Sequence, residues 1–182
     1  CVALGGRVGV RDGRLRRSPV FVLAFAASRP DRQNLADVRK GQFEGLREAI
    51  LTDNSRYPDF GPRALHPTAG ATAVGARMPL IAFNVNLRSE DVEVAKAIAK
   101  KIRASSGGMP HVKALGFHLR DKHMVQVSMN LTDYTVTPIS KVFIEIQKEA
   151  DAMGVEVAEG EIIGLMPLDA VCDLAGSYLK VP

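Results

Sequence analysis

The spacing of apolar residues changes repeatedly along this chain, and each change marks an element. Residues 19–27 (PVFVLAFAA) are continuously apolar, as in a strand buried on both faces. Arg29-Pro30 ends it, because proline lacks the ladder donor and pushes its predecessor out of helical backbone. Over residues 34–50, Leu35, Val38, Phe43, Leu46 and Ile50 keep helical spacing, which predicts one helix weakened at Gly41 and Gly45. Residues 52–75 lose all periodicity, and Pro58, Gly61, Pro62, Pro67, Gly70 and Gly75 punctuate them. An irregular segment of that length, when ordered, is often a binding loop.

The second half is more regular. Residues 79–87 (PLIAFNVNL) predict a strand with Ile81, Phe83, Val85 and Leu87 on one face and Asn84 and Asn86 on the other. Ser89 reads as the N-cap of a helix carrying Val94, Ile98 and Ile102, which residues 105–110 (SSGGMP) break. Strands at 111–119 and 124–131 flank a short turn and form an antiparallel hairpin. A helix at 138–153 presents Val142, Phe143, Ile146 and Ala150, and Gly154 ends it. Two short strand candidates, 155–158 and 161–165, precede a last helix from Leu168. The expected fold class is therefore α+β: a ferredoxin-like β-α-β-β-α-β subdomain over residues 78–182, preceded by residues 1–77 as the end of a second, similar α/β subdomain.

Composition removes several alternatives. The chain has 182 residues, 46% hydrophobic and 24% charged, values of an ordinary globular protein rather than a disordered one. No apolar run approaches the ~20 residues that span a bilayer, so no membrane partner is expected. Cys1 and Cys172 are too few for a disulfide framework or a four-cysteine zinc site, and Cys172 is expected to be buried as packing. Residues 1–17 hold Arg7, Arg11, Arg14, Arg16 and Arg17 against Asp12, which accounts for the whole net charge of +4. A nucleic-acid binder carries its excess on a folded face among aromatics, so no nucleic acid is expected. Val2, Leu4, Val8 and Leu15 keep a loose helical spacing among glycines, predicting a frayed helix. The chain opens on Cys1 and lacks a signal-peptide pattern, and the expectation is a piece of a longer polypeptide.

Two groups of residues stand out for chemistry. In the strand at 124–131, Gln126, Ser128 and Asn130 alternate with apolar residues, and Asn84 and Asn86 add further amides on a neighbouring strand. Such a face is either solvated or lines a ligand cavity, where amides donate and accept without a charge to desolvate. In residues 58–77, Gly61, Gly70 and Gly75 allow close backbone approach, while Pro62 and Pro67 reduce the entropy lost on ordering. The segment has neither a P-loop nor a dinucleotide fingerprint. His66, His111, His118 and His123 have no HExxH spacing, so no metal is expected; His111 and His118 fall on opposite faces of one strand.

The runs RQNLADVRKGQFEGL (residues 32–46), PDFGP (58–62), GATAVGARMPLIAFNVNL (70–87), VQVSMNLTD (125–133) and EIIGLMPLDA (161–170) resemble the formiminotransferase family. The resemblance extends from about Pro19 to the C-terminus. It implies two ferredoxin-like subdomains with substrates bound between them, and transfer of a formimino group from N-formimino-L-glutamate to N5 of tetrahydrofolate, a step of histidine degradation. The implied folate-binding stretch is Gly61, Pro62, Arg63, Ala64, Leu65, His66, Pro67, Thr68, Ala69 and Gly70. The implied co-substrate is tetrahydrofolate, without a metal; the implied setting is a cytoplasmic homodimer, with a cyclodeaminase domain possible in the parent protein. The family's catalytic histidine is expected upstream of Cys1, and His66 is not its counterpart. Where the family has Tyr-Glu-Glu, this chain has Leu23, Ala24 and Phe25. Two other readings stay open: a folate-binding or dimerisation module without chemistry, and a relative using a formyl donor.

Overall fold

A parallel pair of short strands and an antiparallel four-stranded sheet organise the protein. The computed structural model describes residues 17–180, so the helix expected in the opening segment lies outside the described residues. Contacts divide the chain into two compact units, Cys1–Arg77 and Met78–Pro182.

In the first unit, β1 (Val20–Ala24) pairs in parallel with β2 (Thr72–Ala76), from Val20 opposite Thr72 to Ala24 opposite Ala76. The apolar run makes a shorter strand than its hydrophobicity predicts. Ala24 turns into left-handed backbone (φ 56°), and the next residue, Phe25, is exposed. The single helix expected over residues 34–50 is two: α1 (Leu35–Val38), capped by the Asn34 side chain accepting from Ala36 N at 3.3 Å, and α2 (Gln42–Thr52). Gly41 links them in left-handed backbone (φ 78°), and this rotation turns Phe43 outward to 48% exposure. The supposedly irregular 52–75 contains a 3₁₀ turn at Asn54–Arg56 and all of β2 but its last residue, Ala76. The sequence TAVGA has too few bulky or β-branched residues to announce a strand; only its neighbour β1 makes it one.

The core of this unit is small: Phe21, Leu23, Val38 and Ile50. Arg32 supplements it. The residue is 1% exposed, and its guanidinium lies 5.0 Å from the Phe21 ring centroid and donates to the carbonyls of Ser55 (2.9 Å) and Tyr57 (2.8 Å). Burial pulls its pKa below the usual guanidinium value.

In the second unit the order is β3 (Ile81–Leu87), α3 (Val92–Ile102), β4 (Val112–Leu119), β5 (Met124–Leu131), α4 (Ile139–Ala152), β6 (Val157–Ile163) and α5 (Leu168–Leu179). The sheet runs β4-β5-β3-β6, with every neighbouring pair antiparallel. This is the α+β, ferredoxin-like arrangement. Ile81, Phe83, Val85 and Leu87 of β3, with Val125, Val127, Met129 and Leu131 of β5, are buried together with Ile98 and Ile102 of α3 and Val142 and Ile146 of α4. Helix α3 lies so close on β4 that a Cβ at Gly116 would stand 2.4 Å from Lys96 N.

Several local expectations change. The N-cap of α3 is Asp91, whose carboxylate accepts from Glu93 N at 2.9 Å; Ser89 instead accepts from Asp91 N. The two candidate strands at 155–165 are one, because Glu159, Gly160 and Glu161 pair through their backbones with Asn86, Val85 and Asn84 despite breaking the hydrophobic pattern. His111 precedes β4 in left-handed backbone (φ 60°), so strand parity says nothing about where it points. Cys172 is exposed rather than buried. Among the described residues no helix is long and apolar enough to cross a membrane.

Candidate functional site

The DFGP run is stitched to the edge of β1. Val20 N donates to Phe60 O (2.8 Å), Asp59 N and Phe60 N donate to Val20 O (2.9 and 3.1 Å), and Val22 N donates to the Asp59 carboxylate (2.8 Å). Gly61 then turns with φ 88°, where a Cβ would stand 2.5 Å from Ser18 O; no other residue fits this corner. Next, the Arg63 guanidinium lies 3.9 Å over the Tyr57 ring centroid.

The tip of this loop closes on itself. His66 and Gly70 exchange backbone hydrogen bonds (2.9 and 3.0 Å). Inside that ring, His66 Nδ1 accepts from Thr68 N (3.3 Å) and Ala69 N (3.1 Å), which assigns the ring hydrogen of the neutral imidazole to Nε2. Nδ1 is therefore occupied in holding the tip together. Gly70 follows under the Phe43 ring, with 3.5 Å between the ring and an ideal Cβ.

A cleft of about 300 Å³ lies between the loop and the helices. Phe21, Val38, Arg39, Gln42, Phe43 and Leu46 form one side; Leu65, Ala69, Gly70, Ala71, Thr72 and Ala73 form the other. Of the stretch singled out in the sequence, Leu65, Ala69 and Gly70 reach the cleft. Gly61, Pro62, Arg63, Ala64, His66, Pro67 and Thr68 do not line it; His66 is half-buried and the other six are exposed. Phe43, Arg39 and Gln42 were missed because the helical period placed Phe43 in the core; the glycine at 41 was the signal that the period would slip. An apolar cleft with a half-exposed aromatic ring, a guanidinium and an amide suits a flat ring carrying a polar or anionic arm.

The second unit carries the amide-rich face. Asn84 lies between Ser128 on β5 and Glu161 on β6, Asn86 between Gln126 and Glu159, and Ala82 between Asn130 and Ile163. All five expected residues thus share one face of the sheet. They are not an uncharged set, because β6 adds two carboxylates. Gln126 Nε2 donates to Asn86 Oδ1 (2.8 Å), Asn86 Nδ2 to Glu159 (2.8 Å), and Lys122 Nζ to the same Glu159 oxygen (2.9 Å). Asn84 Nδ2 donates to Glu161 (3.1 Å). The Lys122 and Asn86 hydrogen bonds hold the Glu159 carboxyl below its usual pKa, and the same Glu159 contact raises that of Lys122. Asn86 and Gln126 are buried, Ser128 is half-buried, and Asn130 is exposed. Glu159 and Glu161 escaped the sequence reading because their region was split into two strands, which hid the register that brings them beside Asn86 and Asn84.

Comparison with known proteins agrees with this architecture. The formiminotransferase domain family matches residues 82–181, and its N-terminal subdomain matches residues 1–77. The chain is 48% identical over 181 residues to glutamate formimidoyltransferase of Streptococcus pyogenes, covering all of this chain and 60% of that protein. It is 46% identical over 183 residues to glutamate formimidoyltransferase of Thermoplasma acidophilum, again covering 60% of the relative. Formimidoyltransferase-cyclodeaminase of Mus musculus is 38% identical over 184 residues, which are 34% of its length. The chain thus spans about 60% of the length of the first two relatives. With both family regions matched in order, across two units divided after Arg77, the chain belongs to the formiminotransferase family.

Proposed function

We propose that this chain contributes the folate-gripping part of a cytoplasmic tetrahydrofolate-dependent glutamate formimidoyltransferase. The observation that carries this reading is the cleft whose wall is the closed 66–70 loop tip, in a chain 48% identical to a protein named for that transfer. In the reaction, N5 of tetrahydrofolate attacks the amidine carbon of N-formimino-L-glutamate. The N5 proton leaves to a base, and the tetrahedral intermediate collapses as the glutamate nitrogen takes a proton and departs. Holding the flat cofactor in the cleft supplies orientation to that attack. The stitched DFGP corner and the His66-bonded tip support such a role, since the wall against the ligand is set before binding. His66 is not assigned as the base, because its Nδ1 already serves two backbone N–H groups. The amide and carboxylate face of the second unit is the proposed contact surface for the amino-acid substrate, with Asn84, Asn86, Gln126, Ser128 and Asn130 as neutral partners for its carboxylates.

Titration of the chain with 5-formyltetrahydrofolate, followed by NMR, tests the reading. Shifts concentrated at Leu65, Ala69, Gly70 and Phe43 are expected. Binding elsewhere, or none in a folded sample, overturns it. A parallel assay of formimino transfer to tetrahydrofolate separates an enzyme from a folate-binding module: saturation without turnover supports the module.

A further inference from the structure

Two consecutive residues at the joint between α1 and α2 adopt left-handed backbone, Gly41 (φ 78°) and Gln42 (φ 52°). Glycine takes this conformation without strain, but glutamine keeps it only where its surroundings hold it there. The joint matters to the cleft, because Arg39, Gln42 and Phe43, all within two residues of Gly41, line it. Arg56, which does not line the cleft, reaches across to this joint. Its Nη1 donates to Asp37 O (3.0 Å) and its Nη2 to Lys40 O (2.8 Å), so one planar fork spans the end of α1 and the entry to the joint. Asp37 O is among the carbonyls that a helix C-terminus leaves without an α-helical partner. Lys40 O accepts from no backbone N–H among the described residues. The fork is itself anchored. The Asp53 carboxylate accepts from Ser55 N (2.8 Å) and Ser55 Oγ (2.7 Å), and Arg32 donates to the carbonyls on either side of Arg56, those of Ser55 and Tyr57. Arg63, over the Tyr57 ring, comes two residues before Leu65 of the opposite wall. Residues 53–57 are therefore tied to both walls of the cleft.

We infer that Arg56 is a positioning residue for the ligand: by holding the Asp37 and Lys40 carbonyls in one fork, it fixes the left-handed joint and with it the direction in which Gln42 and Phe43 face the cleft. The inference rests on the reading that this cleft takes the folate. Arg56 itself touches no ligand. It raises affinity by ordering the helix wall in advance, so that binding does not bear the entropy of ordering it. A lysine offers a single ammonium on a flexible stem, so it cannot reproduce the fork and holds one carbonyl at a time.

The test compares the parent with Arg56→Met, Arg56→Lys and Thr52→Ala, each as the full 182-residue chain. Thr52→Ala removes a hydroxyl that donates to Glu48 O at the far end of α2 (3.4 Å), and so controls for a helix that is merely loosened. Without ligand, Arg56→Met should shift the amide resonances of Gly41, Gln42 and Phe43; Arg56→Lys should shift them less, and Thr52→Ala should leave them in place. The dissociation constant of 5-formyltetrahydrofolate should rise about tenfold in Arg56→Met, by less in Arg56→Lys, and not in Thr52→Ala. Each variant is measured where circular dichroism shows it folded, since lost stability alone leaves the affinity of the folded form unchanged. In the parent, the Arg56 Nη protons should give separate signals, while those of exposed Arg47 average to one, a reading that needs no variant to fold. Unmoved resonances at Gly41, Gln42 and Phe43 in Arg56→Met overturn the inference. So does parental affinity in that variant, or a single averaged Nη signal for Arg56. A parent that binds no 5-formyltetrahydrofolate overturns the proposed function, and the unliganded spectra then decide by themselves whether Arg56 fixes the joint.

Discussion

Arg32, Gly61 and His66 do unrelated things by the same means, each satisfying or accommodating backbone that nothing else could. Arg32 fills the small core of the first unit and serves the carbonyls of Ser55 and Tyr57. Arg32→Met keeps the packing and abandons both acceptors, so it should cost about 2–3 kcal/mol, read from urea unfolding together with faster hydrogen exchange at residues 54–57. Gly61→Ala forces a Cβ onto Ser18 O in left-handed backbone and should cost about 2 kcal/mol or more. Its signature is early loss of the Val20–Phe60 hydrogen bonds with the second unit unaffected. His66→Ala should lower stability by less than about 1 kcal/mol, because the tip is exposed and water replaces Nδ1. Its larger effect should fall on folate affinity, through a loosened cleft wall.

At the scale of elements, two seams decide the second unit. Helix α3 rests on β4 at Gly116, which faces the backbone of Ala95 and Lys96, and Ile98 of the same helix is buried in the core. Gly116→Ala leaves no room for its methyl group, and Ile98→Ala opens a cavity worth about 2–5 kcal/mol. Both should lower the unfolding midpoint of the sheet. The other seam joins β3 to β6 through Asn86, Glu159 and Lys122. The Glu159 pKa is depressed on folding, so its contribution is present above the unfolded value of about 4.3 and is lost as pH falls through the folded value. Glu159→Gln should therefore be less stable than the parent at neutral pH, with the gap closing in acid. A gap that widens in acid would contradict the hydrogen-bond network.

Across the whole molecule the units are unequal. Among the described residues the cluster of the first has four buried apolar side chains; the second holds one continuous cluster running from Ile81 to Ala170. Local opening should follow that difference. Hydrogen exchange at β1 and β2 is expected to outpace exchange at β3 and β5 by orders of magnitude, and a saturating folate ligand should narrow the gap if the cleft is its site. Net charge is uneven as well, since the first 17 residues carry the whole excess of +4.

Periodicity made the second unit legible. Long strands and helices there bury one face each, so alternation at 79–87 and 124–131 and the helical stripe at 138–153 reported the β-α-β-β-α-β order directly. The closed loop was visible in its prolines and glycines, and the family resemblance rested on the same short runs. What the chain did not declare was every feature created by a neighbour. β2 is a strand only because β1 lies beside it, and Glu159 joins Asn86 only through the β3–β6 register. Phe43 faces a cleft only because Gly41 rotates α2. Local spacing encodes which face of an element is apolar; what that face meets is set by partners distant in sequence, whose contacts no window of residues contains.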